Sequence, residues 1–249
     1  MSPHPALQHT EHRPWPLPGS PWRWRQSWCE LLFAHWPVPV EAVRALLPDG
    51  LEVDSYQGRT YVGVVPFRME GVTHRGLPDL PGASAFPELN LRLYVTRQDR
   101  PGVWFLSLDA ANLLAVIAAR TLFHLPYFHA RMEHVVDGDE VRYRSVRRRD
   151  PAGLGFSARY RPIGPVTAAA PGSLEHWLTE RYCLYATGAG GRLTRAEVHH
   201  PPWPLQQAEA HIERNELAEP HGLELPGPPP LLHYAQRMDV VVWPLRPVG

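Results

Sequence analysis

Polar and apolar positions alternate most regularly over Phe86–Val95, FPELNLRLYV, and the period of two predicts a β-strand. Leu89, Leu91, Leu93 and Val95 fall on one face, and Glu88, Asn90, Arg92 and Tyr94 on the other. The polar row is either the wet side of a half-buried strand or the lining of a cavity, and alternation alone favours the wet side. Around it the pattern predicts mostly further strands. CELLFAHW, Cys29–Trp36, is a short apolar run with strand-like bulk. LEVDSYQGRTYVGVVPF reads as a hairpin of Leu51–Tyr56 and Thr60–Phe67 turning at Gln57-Gly58, and Gly71–Ser84 as a loop. Val103–Ala110 pairs back on the central strand, with Val103, Phe105, Ser107 and Asp109 on one face and Trp104, Leu106 and Leu108 on the other. A second hairpin turns at Asp137-Gly138 and is followed by a strand over Gly153–Arg161. RLTRAEVHH and MDVVVW are strands, and YCLYAT is strand-like.

Helical spacing is predicted in VPVEAVRALLP, stopped by Pro48-Asp49-Gly50, and in ANLLAVIAARTLFHLP, ended by Pro126. It is also predicted after Ser173, a plausible N-cap, and over PLQQAEAHIERNELA. The sum is about ten strands and roughly three or four helices in hairpins rather than alternating βαβ units. That predicts an α+β fold, mainly antiparallel β, curled or closed, with a few peripheral helices. Residues 1–24, rich in Pro, His and Trp without a period, read as an irregular arm, and 25–249 as a single domain.

Composition narrows the function classes. The chain is 44% hydrophobic and 20% charged, enough for a sizeable core. Its formal net charge is zero, which argues against nucleic acid or an anionic membrane as partner. The one basic run, Arg142, Arg144 and Arg147–Arg149, reads as a strand edge before a turn. Two cysteines, Cys29 and Cys183, are too few for a disulfide framework or a metal quartet. There is no membrane-length apolar run and no signal-peptide pattern, so a cytoplasmic protein is expected; a homo-oligomer is compatible with everything above. All 25 basic side chains are Arg and none is Lys, so no side chain can form a Schiff base.

No phosphate-binding, nucleophile-elbow or zinc-protease motif is present. Glu197 and His199 are the only close ligand pair on one strand face, and two ligands do not make a site, so neither metal nor cofactor is expected. The surviving constellation is one of arginines and carboxylates. Arg92 can hold a carboxylate with its planar fork, and Glu88, in a partly dry cavity, can exchange protons near neutrality. Asn90, Tyr94, Arg120, Tyr127, Glu197 and His200 are candidate ligand-binding neighbours, as are Asp109 and Arg195; for Asp109 a helix cap is the better reading.

The segments WCELLFAHWPV, LLPDGLEVDSYQGRTYVGVVPF, FPELNLRLYV, PGVWFLSLDA, AARTLFHLPYFHARM, LTERYCLYA and VHHPPWPLQQAEA, in this order between Arg25 and Trp243, resemble the YqjF-like, or DUF2071, family of bacterial proteins. That family is similar in fold to acetoacetate decarboxylase, so the resemblance implies a closed, acetoacetate decarboxylase-like β barrel around an internal pocket. It turns the Glu88/Asn90/Arg92 face from solvent toward that pocket. The lysine Schiff base by which acetoacetate decarboxylase works cannot operate in a chain without Lys. What the resemblance leaves is a pocket for a small-molecule ligand or substrate: either a lysine-independent, lyase-like enzyme on a small carboxylate or carbonyl compound, or a non-catalytic protein that binds or senses a hydrophobic acid.

Overall fold

The long apolar runs form strands buried on both sides, and these close on themselves. A computed structural model describes residues 4–79 and 84–248. Its strands are β1 (Trp24–Val38), β2 (Glu52–Val53), β3 (Thr60–His74), β4 (Phe86–Thr96), β5 (Gly102–Ala110), β6 (Tyr127–Asp137), β7 (Glu140–Arg147), β8 (Gly155–Pro162), β9 (Cys183–Thr187), β10 (Leu193–His199), β11 (Gln206–Asn215), β12 (Leu231–Val242) and β13 (Arg246–Pro247). Three helices accompany them: α1 (Val40–Arg44), α2 (Leu113–Leu122) and α3 (Leu174–Thr179).

Hydrogen bonding runs β5-β6-β7-β8-β11-β12-β1-β3-β4 and back to β5, a closed mixed barrel of nine strands. Most pairs are antiparallel, and β5 runs parallel to both β6 and β9. β9 and β10 bridge the barrel wall. β9 pairs with β5 at Val103 and Trp104, and β10 pairs with β12 at Val241 and Val242. The wall β12-β1-β3-β4-β5 therefore has an interior on both sides. One holds Leu32, Val62, Val64, Leu89, Leu91 and Leu93 in a cluster with Tyr143, Phe156 and Tyr160. The other face, carrying Phe33, Val65, Phe67 and Met69, surrounds a hollow.

Register slips set which side chains look into that hollow, one of them on β3, where the β1–β3 pairing slips between Arg25 and Ser27 and the inward row passes from Met69 to Val72. Pairing of β1 with β3 slips between Cys29 and Ala34, where Glu30 takes φ +47°, so the inward row passes from Trp24, Gln26 and Trp28 to Leu31. Pairing of β4 with β5 slips at Leu106, which moves Leu108 onto the face of Val103 and Phe105 and turns Asp109 away. The predicted strict alternation of β5 fails there.

Other expectations are corrected as well. PLQQAEAHIERNELA is not a helix: Gln206–Asn215 is a strand paired with β8, its helix formers overruled by tertiary pairing. Leu51–Tyr56 does not pair with Thr60–Phe67 as a full hairpin. A turn does close at Tyr56 and Arg59, but Glu52 and Val53 pair with β4. β3 continues to His74, beyond the expected start of the loop at Gly71, and positions 80–83 of that loop lie outside the described residues. The cap on α2 is Asn112, whose side chain accepts from the Ala115 N–H, rather than Asp109. Ser173 caps α3 as its sequence suggested. No helix among the described residues is long and apolar enough to cross a membrane.

Candidate functional site

β4 supplies three inward side chains in register. Glu88 lies opposite Phe67, Asn90 opposite Val65 and Arg92 opposite Gly63, all on the hollow side. Gly63 makes room for the guanidinium: a Cβ there would stand 3.2 Å from Arg92 Cγ and Nε and 3.3 Å from His35 Cδ2. The hollow is about 350 Å³, and its wall is chiefly aromatic and aliphatic, with Trp28, Phe67, Phe105 and Trp203 prominent. An apolar chamber with a few aimed polar groups is the usual form of a small-molecule site.

Two poles are distinguishable. At the first, the buried Tyr127 hydroxyl donates to Glu88 Oε2 over 2.7 Å. Burial pushes the Glu88 carboxyl up to about 8, against the Tyr127 hydrogen bond and with help from the Asp109 charge. Burial also raises the Tyr127 phenol well above its ordinary range, so it stays a donor. The Tyr143 hydroxyl donates to the Glu88 backbone carbonyl at 2.7 Å and pins the strand behind the carboxyl.

At the second pole Arg92 is 8% exposed, and among the described residues its Nε and Nη2 have no hydrogen-bond partner. Its Cζ sits 5.0 Å from the Phe33 ring centroid and 5.6 Å from that of Tyr94. Arg181 also lines the hollow, with its Cζ 5.0 Å from the same Tyr94 ring. It is tied to Asp54 and to the Trp177 carbonyl, yet its Nη2 is likewise buried without a partner among the described residues. Burial lowers the Arg181 pKa, and Arg92 adds to the lowering, so the two cations feel each other. The indole N–H donors of Trp28 and Trp203 are also buried without a partner among the described residues, and so is one acceptor, Asn90 Oδ1. A group of donors left dry in this way costs free energy unless something accepts from them. Guanidinium and indole donors of this kind are matched best by an anionic acceptor.

The structure thus brings Glu88, Asn90, Arg92, Tyr127 and His200 to one hollow. His200 is buried, its pKa lowered by burial, and its ring nitrogens face the carbonyls of Pro201 and Arg181. Tyr94 lies behind Arg92 and shares a 2.6 Å hydrogen bond with His35 instead of lining the chamber. Arg120 is exposed on α2 and does not reach the hollow. Glu197 is elsewhere altogether: Arg13 and Trp15 of the N-terminal segment donate to Oε2 at 2.9 and 2.7 Å, and Arg195 approaches Oε1 at 3.1 Å. Asp109 accepts from Arg147 at 2.7 Å and Ser145 at 3.0 Å, a buried ion pair outside the chamber. Among the described residues no three His, Cys, Asp or Glu side chains converge as a metal site would require.

Sequence reading missed Arg181, Gly63 and the paired indoles of Trp28 and Trp203, stacked with centroids 5.8 Å apart. Arg181 had one signal, a charge set beside the apolar stretch YCLYA. Gly63 had none until the strands were paired.

This closed barrel with an internal hollow is of the acetoacetate decarboxylase-like kind. The enduracididine biosynthesis enzyme MppR complexed with pyruvate superimposes with a TM-score of 0.65 at 14% identity, covering 92% of this chain and 91% of that one. Acetoacetate decarboxylase from Legionella pneumophila gives 0.63 at 16% identity, covering 96% and 93%. At such identities the likeness is one of fold. The chain itself belongs to the DUF2071 family: the family model, described as an uncharacterized conserved protein, matches residues 25–239. The uncharacterized protein YqjF of Bacillus subtilis (strain 168) is 50% identical over 230 residues, 92% of this chain and 94% of that protein.

Proposed function

We propose that the hollow is the active site of a lysine-independent, lyase-like enzyme on a small carboxylate or carbonyl compound. The observation that carries this reading is the pair of poles on β4: a buried Arg92 whose Nε and Nη2 have no partner among the described residues, and a carboxyl at Glu88 held neutral up to about pH 8. Arg92, seconded by Arg181, binds the anionic group through the N–H atoms that otherwise lack acceptors. Tyr127 occupies Glu88 Oε2, which leaves Oε1 to carry and deliver a proton. A pKa near the ambient pH suits a group that both gives and takes a proton at a carbon next to a carbonyl. Proton transfer from Glu88 to the carbonyl oxygen or to the enol carbon takes the place of the iminium sink that this Lys-free chain cannot form. Two neighbours of the same fold, one complexed with pyruvate and one an acetoacetate decarboxylase, support a carbonyl-bearing acid as the substrate class without fixing its length.

The test is deuterium exchange. Incubated in D₂O with a panel of oxo acids, the protein is expected to label the carbon next to the carbonyl, followed by proton NMR, and Glu88→Gln to abolish the labelling while keeping the parent's circular dichroism. Equal labelling by the variant removes Glu88 from the mechanism. A second reading, a non-catalytic binder or sensor of a hydrophobic acid, is favoured by the aromatic wall. A compound extracted unchanged from the purified protein, and not consumed by it on return, would select that reading.

A further inference from the structure

The two poles are not side by side. Glu88 lies opposite Ala110 at the end of β5 that leads into α2, whereas Arg92 lies opposite Phe105, four residues further along β4. Four residues of strand span about 13 Å. The Arg92 guanidinium sits by the rings of Phe33 and Tyr94, and Arg181 also lies over the Tyr94 ring. A pyruvate-sized acid is short beside a backbone separation of that order.

Beyond Glu88 the chamber continues under α2. This helix is apolar except for Arg120 and Thr121, yet Val116 is its only fully buried residue. Leu114 is 71% exposed and Leu122 54% exposed, and both line the hollow. Side chains that touch solvent and chamber together are the rim of its mouth. The opposite lip is also apolar, with Trp24 on β1 and Val72 on β3 lining the same space, and the Trp24 ring lies 6.2 Å from that of Phe123 at the C-terminal cap of α2. A site for a compact, fully polar acid has no use for a greasy exit of this kind.

We infer that the ligand is an elongated amphipathic acid: its carboxylate sits at Arg92 and Arg181, its middle passes Glu88 and Tyr127, and an aliphatic or aromatic tail leaves between α2 and the Trp24–Val72 lip. This rests on the carboxylate reading of the Arg92 pole and adds the direction and length of the molecule. For an enzyme it also places the reacting carbonyl several bonds from the carboxylate, at the level of Glu88.

The experiment is calorimetric titration of the full chain with butanoate, hexanoate, octanoate and decanoate, and with the matched primary alcohols. Affinity is expected to rise about fourfold per added methylene. Arg92→Met is expected to weaken every acid at least tenfold and leave the alcohols unchanged. Leu114→Gln, at an exposed rim position, is expected to weaken decanoate and spare butanoate. Arg92-dependent binding that does not change with chain length, or a Leu114→Gln effect equal for short and long acids, overturns the elongated ligand and leaves the carboxylate reading in place. Acids that fail to bind, or that bind alike to parent and Arg92→Met, overturn both.

Discussion

β4 presents one backbone to two interiors that are treated in opposite ways. Leu89, Leu91 and Leu93 are each at most 1% exposed and belong to a packed cluster with Tyr143, Phe156 and Tyr160. Glu88, Asn90 and Arg92, one residue out of phase, are nearly as buried but border a chamber of about 350 Å³. The first face is satisfied by close packing, where each methylene has neighbours on all sides. The second holds a neutralised acid and unpartnered donors, and its stability is lower than the same volume of packed side chain would provide. Such a face fits the proposal that its missing partner is a ligand. Burial alone therefore does not distinguish core from site on this strand; hydrogen-bond satisfaction does.

The contrast can be broken by substitution on either side. Leu91→Ala opens a void in the filled cluster and is expected to lower stability by roughly 2–5 kcal/mol in urea unfolding. Arg92→Met, the next residue, removes a buried cation that has no counter-ion among the described residues and is expected to leave stability equal or higher. A loss at Arg92 as large as that at Leu91 would mean that the polar row is ordinary core.

Glu88→Gln separates the faces by pH. The folded Glu88 pKa, about 8, lies above its unfolded value of 4.5. The contribution of this group is thus fully present below about pH 4.5 and is lost as pH rises through 8. The parent is expected to lose stability over that window. Glu88→Gln removes this group's part of the loss, giving an advantage at pH 9 on the order of 5 kcal/mol. Parallel pH profiles of parent and variant would show that the carboxyl is hydrated.

Reading the sequence found the face but not its surroundings. The alternation of FPELNLRLYV was legible because a strand's side chains obey a period of two whatever lies beyond them. The bulges at Glu30 and Leu106 were not, since they are features of pairing between strands, and they decide that Leu108 faces the chamber and Asp109 does not. Glu197 was assigned to the ligand because its partner, Arg13, lies 184 residues away in a segment without periodicity. Arg120 was assigned from helical spacing, which gives a residue's bearing on its own helix but not what the helix packs against. The closed barrel itself came from the family resemblance together with the hairpin pattern.

Smaller effects sharpen the outline of the chamber. Gly63→Ala places a methyl 3.2 Å from the Arg92 side chain and is expected to weaken acid binding severalfold through a displaced guanidinium, read as a raised Kd without loss of fold. Arg120→Ala, on the exposed side of α2, is expected to change stability by less than about 0.5 kcal/mol and acid binding not at all.

The central claim, that Arg92 awaits an anion inside the barrel, is tested most directly by tryptophan fluorescence. Trp28 and Trp203 line the chamber and report on its contents. Titration with hexanoate is expected to give a saturable change in the parent and in Arg120→Ala, with Kd raised roughly 10- to 100-fold in Arg92→Met. An identical saturable change in parent and Arg92→Met, or a parent that does not respond, contradicts it.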